Sequence, residues 1–247
     1  INGLVISLMS NPLLAITVEG NIENGSRMIL SKTENNNNQM LYFFNIIDKN
    51  AKEGLYGKSG LMYKGENGSY LKYYQIGKGS KHLFTTFSIH GFEDSYSKDG
   101  AELTYIADEF FNYLKNNMSN NLVNEWTIYI LPVLNPDGQY NGWTNNGPGR
   151  TTLYSWAPGN QGIDMNRCFP VGYNREPSKR NYNGTGPLQA YEAQALRDFI
   201  LSNTGSQNIV IDVHGWLNET IGDNDLGAYY RNELGISKHI GTYGNGY

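Results

Sequence analysis

Two apolar runs of strand length, residues 83–89 and 208–213, each end on a histidine, His90 and His214. Between them, helix and strand patterns alternate. Residues 98–117 carry Leu103, Ile106, Phe110 and Leu114 at helical spacing, with charge on the outward face. Residues 126–134 read as a second buried strand, stopped by Asn135-Pro136-Asp137-Gly138, and residues 190–202 read as a second helix. This order predicts an α/β fold: a mixed, largely parallel sheet with flanking helices. In open sheets of this kind, side chains converge at the C-terminal ends of the strands, where ligands bind. Both histidines are therefore expected on that rim. The Gly-, Asn- and Pro-rich stretch that follows, to about residue 186, reads as a long loop region.

Residues 1–47 have a different texture. Short apolar runs at 4–6, 14–18 and 28–30 are separated by Asn-Pro, Glu-Gly and Glu-Asn-Gly turn signals, which predict three or four short strands. The expected division is a short all-β segment over 1–50 and an α/β domain over 51–247. No apolar run approaches the length of a membrane span. With 19 basic against 23 acidic residues, the charge gives no reason to expect nucleic acid or an anionic membrane as partner. A start at Ile1 without a leader reads as a processed or excised piece.

The 4 histidines and 1 cysteine restrict any metal site to His, Asp and Glu ligands. Glu93 follows His90 by three residues, so a single turn can bring both side chains onto one ion. With His214 they form a His/Glu/His set. Two neutral imidazoles and one carboxylate suit zinc and leave a position open for water. His82 and His239 read as surface or core residues, Asp212 as structural, and Cys168 as a small buried residue or, beside Arg167, a reactive thiol.

The motifs Ser88-Ile-His90-Gly-Phe-Glu93, Asn135-Pro-Asp-Gly138, Gly162-Ile-Asp-Met-Asn166-Arg167, Tyr182-Asn-Gly184 with Pro187 and Glu192, and Asp212-Val-His214 occur in one order. Together they resemble the zinc carboxypeptidase family (carboxypeptidase A-like) over about residues 55–247, with wording closest to bacterial, clostridial members. The resemblance implies one zinc ion on His90, Glu93 and His214. Asp164 would orient the first histidine. Asn166 and Arg167 would hold a substrate's terminal carboxylate, and Arg150 would polarise the scissile carbonyl. Phe92 stands where the animal digestive enzymes have Arg. A second resemblance covers residues 11–20, Asn24-Gly25 and Asn38-Gln39, which look like one repeat of a ricin-type β-trefoil lectin. Thr17 and Met40-Leu41 depart from that pattern, which favours a structural remnant over a sugar-binding unit.

The implied activity is hydrolysis of a peptide bond near a free C-terminal carboxylate, extending by analogy to peptidoglycan stem peptides. The implied setting is secreted or cell-wall associated, with wall glycan as the partner of the first segment if sugar binding persists. The family's general-base glutamate lies well beyond the last histidine ligand. Glu219 and Glu233 sit in loop-like and helical stretches, so the catalytic Glu is expected to be missing from this chain. Two other readings share the motifs: a non-catalytic wall-binding protein with a retired peptidase domain, and a zinc deacylase. The deacylase would not need Arg167 as a carboxylate clamp.

Overall fold

The computed structural model describes residues 19–21, 27–34, 40–47, 51–60, 68–93, 95–96, 98–154, 162–215 and 218–241. Contacts within the chain divide it into Ile1–Lys52 and Glu53–Tyr247. In the first unit, β1 (Glu19–Asn21), β2 (Arg27–Glu34) and β3 (Met40–Ile47) form an antiparallel sheet in the order β1-β2-β3. Thr17, Asn24, Gly25, Asn38 and Gln39, on which the lectin resemblance turns, lie outside the described residues.

The second unit is built on a five-stranded mixed sheet. Its strands are β4 (Ala51–Lys58), β5 (Tyr70–Gly77), β6 (Lys81–Phe87), β7 (Trp126–Leu131) and β9 (Gln207–Val213), in the order β4-β5-β7-β6-β9. β5 runs antiparallel to β7, whereas β6 is parallel to both β7 and β9. Helix α1 (Gly100–Asn117) buries Leu103, Ala107 and Phe111, residues four apart that share one helix face. Phe111 stacks on Tyr74 of β5, with ring centroids 4.5 Å apart. Helix α4 (Tyr191–Ser202) packs Phe199 against Tyr73, with centroids 4.8 Å apart. Tyr73 and Tyr74 are consecutive in a strand and point to opposite faces, so α1 and α4 cover opposite sides of the sheet. The α4 side holds the main core, in which Phe84, Tyr129, Leu131 and Ile163 pack against Ala193 and Leu196. Burying a side chain the size of Leu131 contributes about 1.5–3 kcal/mol.

Helix α2 (Asn120–Glu125) leads into β7. The expected long loop region contains two elements that the composition hid. Residues Pro136–Asn141 form α3 and Thr144–Thr151 form β8. Asn135 makes α3 a helix rather than a turn, because its side chain accepts from Gly138 N–H and Pro136 occupies the first helical position. Farther on, β10 (Glu219–Ile221) and β11 (Lys238–Ile240) form a parallel pair flanking α5 (Asn224–Leu234). Glu219 therefore begins a strand rather than sitting in a loop, and its carboxylate is paired with Lys238. No helix among the described residues is long and apolar enough to cross a membrane.

Glu192, in the first turn of α4, is buried, and its Oε1 accepts from Gly60 N–H at 2.6 Å. Its Oε2 has no hydrogen-bond partner among the described residues. Burial pushes this carboxyl up from its usual 4.5 to about 8, and the nearby Asp137 adds to the rise. Below 4.5 the carboxyl is neutral whether the chain is folded or unfolded. Between 4.5 and 8 the unfolded chain ionises while the folded chain keeps its proton, so stability falls as pH rises through that window and then levels off. Glu192→Gln keeps a neutral acceptor for Gly60. Thermal melts from pH 4 to 9 should show this variant gaining stability over the wild type steadily from about pH 4.5 to about pH 8. A difference independent of pH would contradict the assignment.

Candidate metal centre

β6 and β9 are adjacent and parallel, with Thr86 opposite Asp212 and Phe87 opposite Val213. This register delivers His90 and His214 from neighbouring strand ends to one place, where their rings lie edge to face with centroids 5.4 Å apart. Glu93 sits between them. Its Oε2 is 3.0 Å from His90 Nδ1, and its Oε1 is 3.4 Å from His214 Nδ1. One ligand atom from each of the three residues falls within 4.8 Å of the others.

The far nitrogen of each imidazole is held by a carboxylate. Asp164 Oδ1 meets His90 Nε2 at 2.9 Å, and Asp212 Oδ2 meets His214 Nε2 at 2.7 Å. Thr86 Oγ1 donates to the other oxygen of Asp212 at 2.6 Å. With both Nε2 atoms engaged, both Nδ1 atoms are turned toward Glu93. Asp212 was expected to be structural. The structure instead places it against a metal-ligating candidate, and the alternation of a strand, which puts residues two apart on one face, is the sequence signal for that contact.

Burial alone would raise the Glu93 carboxyl, but hydrogen bonds and charge from His214 and His90 outweigh it and hold the group at about 2. Burial likewise pushes the His214 imidazole down. Asp212 and then Glu93 reverse the effect and raise it to about 10. His214 thus lies between two carboxylates that favour its protonated form, and a divalent cation can take the place of that proton. Zinc fits the donor set: two Nδ1 atoms oriented by their carboxylate partners, and a buried Glu93 Oε1 whose contact among the described residues is the long one to His214 Nδ1.

Asp164 also builds the neighbouring turn. Its Oδ1 accepts from Asn166 N–H at 3.0 Å, and its carbonyl accepts from Arg167 N–H at 3.0 Å, closing the 3₁₀ turn Met165–Arg167. Asn166 is buried, and Arg167 Nη1 donates to the Asn166 carbonyl at 2.7 Å. The same turn is held from behind by Asn183, whose Nδ2 donates to the Arg167 carbonyl at 2.9 Å. Arg150, on β8, is buried, with Nη2 3.5 Å from Asp164 Oδ2. Burial opposes ionisation of Asp164, but His90, Arg150 and Arg167 together hold its carboxyl below the usual range. Arg150 is thus neither in a loop nor solvated.

Backbone contacts lock these parts to one another. Asn135 Nδ2 reaches the carbonyls of Gly149, Arg150 and Thr151, fixing β8. The Gly149 carbonyl in turn accepts from Gly91 and Phe92 N–H, which ties β8 to the loop between His90 and Glu93. Gly149 has φ +126, and a Cβ there would lie 2.8 Å from the buried Phe92 ring, so only glycine fits. Cys168 is buried, and burial pushes its thiol well above the usual range, which removes the reactive-thiol reading. His82 bonds the Asn203 carbonyl and His239 bonds Thr220, both away from the centre.

Residues 75–218 match the zinc carboxypeptidase family. The chain is 39% identical over 199 residues to bacteriocin BCN5 of Clostridium perfringens, covering 79% of this chain and 20% of that protein. It is 29% identical over 156 residues to human mast cell carboxypeptidase A, covering 59% of this chain and 36% of the relative. The chain therefore spans well under half the length of either relative. Among solved structures, carboxypeptidase A from Helicoverpa armigera aligns with a TM-score of 0.57 at 18% identity, over 78% of this chain and 52% of that one. The murein-tripeptide amidase MpaA from Escherichia coli O157 aligns with a TM-score of 0.50 at 17% identity, over 78% and 74%. Both likenesses concern the fold.

The carboxylate partners of the imidazoles lead to a direct expectation. Asp212→Asn should weaken zinc binding roughly 10- to 100-fold in a chelator competition, because His214 loses the partner that fixes its ring. Unchanged affinity would show that Asp212 does not orient the ligand.

Proposed function

The chain belongs to the zinc carboxypeptidase family, and on that premise we propose that it carries the metal and carboxylate-binding part of a secreted bacterial zinc metallopeptidase. Its target is a peptide bond near a free C-terminal carboxylate, in peptidoglycan stem peptides. The observation that supports this most is the double use of Asp164, which orients His90 and builds the turn bearing Asn166 and Arg167. A metal and a carboxylate clamp tied through one side chain keep a fixed spacing, which selects bonds at the end of a chain.

His90, Glu93 and His214 would hold the zinc, which would supply Lewis acidity toward a carbonyl and toward water. The protein's own residues bind and orient. Arg167 and Asn166 receive the terminal carboxylate through a planar fork of N–H donors and an amide, a geometry a lysine cannot reproduce. Arg150 places a buried positive charge next to the carboxylate that holds His90, suited to a carbonyl oxygen gaining negative charge. Asp164 and Asp212 are committed to imidazoles and serve to hold protons on ring nitrogens. Neither is free to act as general base, so the proton of the attacking water needs a further group. The terminal carboxylate of a stem peptide matches the clamp.

The clamp separates this reading from a zinc deacylase on the same scaffold. Titrating the zinc-loaded protein with a stem tripeptide and with its C-terminal amide should give about 10- to 100-fold tighter binding of the free acid, the worth of one charge-assisted pair. Arg167→Ala should erase that preference while retaining zinc. Equal binding of acid and amide by the wild type would exclude a carboxylate-directed peptidase.

A further inference from the structure

We infer that Asp99 is a positioning residue for the metal centre, acting through the backbone of Glu93. Asp99 is fully buried at the N-terminus of α1, where an aspartate ordinarily accepts a hydrogen bond from the first turn of its own helix. Here its side chain makes no such cap bond. Both carboxylate oxygens turn back instead. Oδ1 accepts from Glu93 N–H, and Oδ2 accepts from Ser95 N–H at 3.0 Å and Tyr96 N–H at 3.5 Å. A helix-capping side chain is thus spent on the chain segment that carries a ligand.

The same junction is closed from the other side. A Cβ at Gly100 would lie 2.4 Å from the His90 carbonyl and 2.6 Å from that of Gly91, so the helix start abuts the backbone between the first two ligands. Helix α1 is itself fixed to the sheet by Leu103, Ala107 and Phe111. Asp99 therefore links a rigid helix to the one ligand that does not stand at a strand end. His90 and His214 have carboxylate partners on their rings; among the described residues, the Glu93 side chain has only the two imidazoles. Its placement depends on its main chain, and Asp99 holds that main chain. Without it, Glu93 and the two Nδ1 atoms would no longer be preset at the spacing a tetrahedral ion requires.

The inference rests on the metal-centre reading, and the test keeps the two apart. Zinc affinity is measured by chelator competition, and the cobalt-substituted protein is examined by visible absorption, for the wild type, Asp99→Ala, Asp99→Asn and Asp223→Ala. Asp223 caps helix α5 through Leu226 N–H, so its loss lowers stability without removing a contact to His90, Glu93 or His214. Asp99→Ala should lose roughly 10- to 100-fold in zinc affinity and alter the cobalt band. Asp99→Asn keeps one acceptor oxygen and should recover part of both, while Asp223→Ala should bind metal like the wild type. Wild-type affinity and spectrum in folded Asp99→Ala would overturn the inference and leave the metal reading standing. If Asp99→Ala does not fold, wild-type values for Asp99→Asn overturn it. An equal loss of affinity in Asp223→Ala would reduce Asp99 to a general stabilising role and also overturn it. No zinc on the wild type would overturn both readings.

Discussion

The contact between Asp164 and His90 is the one on which the functional part of this structure depends. A carboxylate fully removed from water is expensive unless charge and hydrogen bonds compensate it. His90, Arg150, Arg167 and the Asn166 N–H all converge on this one. Each compensating group is also a residue to which the proposed function gives a role. The energetic requirement of one buried anion and the geometric requirement of the proposed metal and clamp are met by the same contacts.

Around that centre the fold works as a frame of strand ends. Parallel β6 and β9 bring two histidines together from distant parts of the chain, and β8 carries Arg150 alongside. The loops between these elements are held by buried polar side chains as well as by apolar residues such as Ile163, Met165 and Tyr182. Asn135 reaches three carbonyls of β8, and Asn183 holds the turn of Asn166 and Arg167 while also accepting from Glu176 N–H at 2.8 Å. Buried asparagines of this kind act as substitutes for sheet hydrogen bonds where the backbone is irregular.

The core of the fold was legible because period and length are local properties. Residues 83–89, 126–134 and 208–213 read as strands, and β6, β7 and β9 occupy most of those spans. α3 and β8 were not legible. Asn-Pro-Asp-Gly starts a helix with the same residues that make a turn, and Thr144–Thr151 has no apolar alternation because Asn135 holds it rather than the core. Among site residues, His90, Glu93, Asp164 and His214 stand in motifs, and the structure brings them into contact. Asp212 shares its motif with His214 but reads there as structural, and Asp99 stands in none of these motifs. Asp212 needed the strand register to place it beside Thr86. Asp99 lies inside the stretch that reads as helix, and only the structure shows it at the helix start with its side chain turned back to Glu93.

Membership of the zinc carboxypeptidase family and the convergence of two imidazoles on one carboxylate make a single claim central: this chain is a preset zinc site. X-ray absorption at the zinc edge, combined with elemental analysis of the purified protein, tests it directly. The account predicts one zinc per chain, with two imidazole nitrogens at about 2.0–2.1 Å and a carboxylate oxygen at about 2.0–2.2 Å. That signal should vanish when His90, Glu93 or His214 is replaced by alanine. A chain that takes up no zinc, or whose zinc environment survives all three replacements, would contradict it.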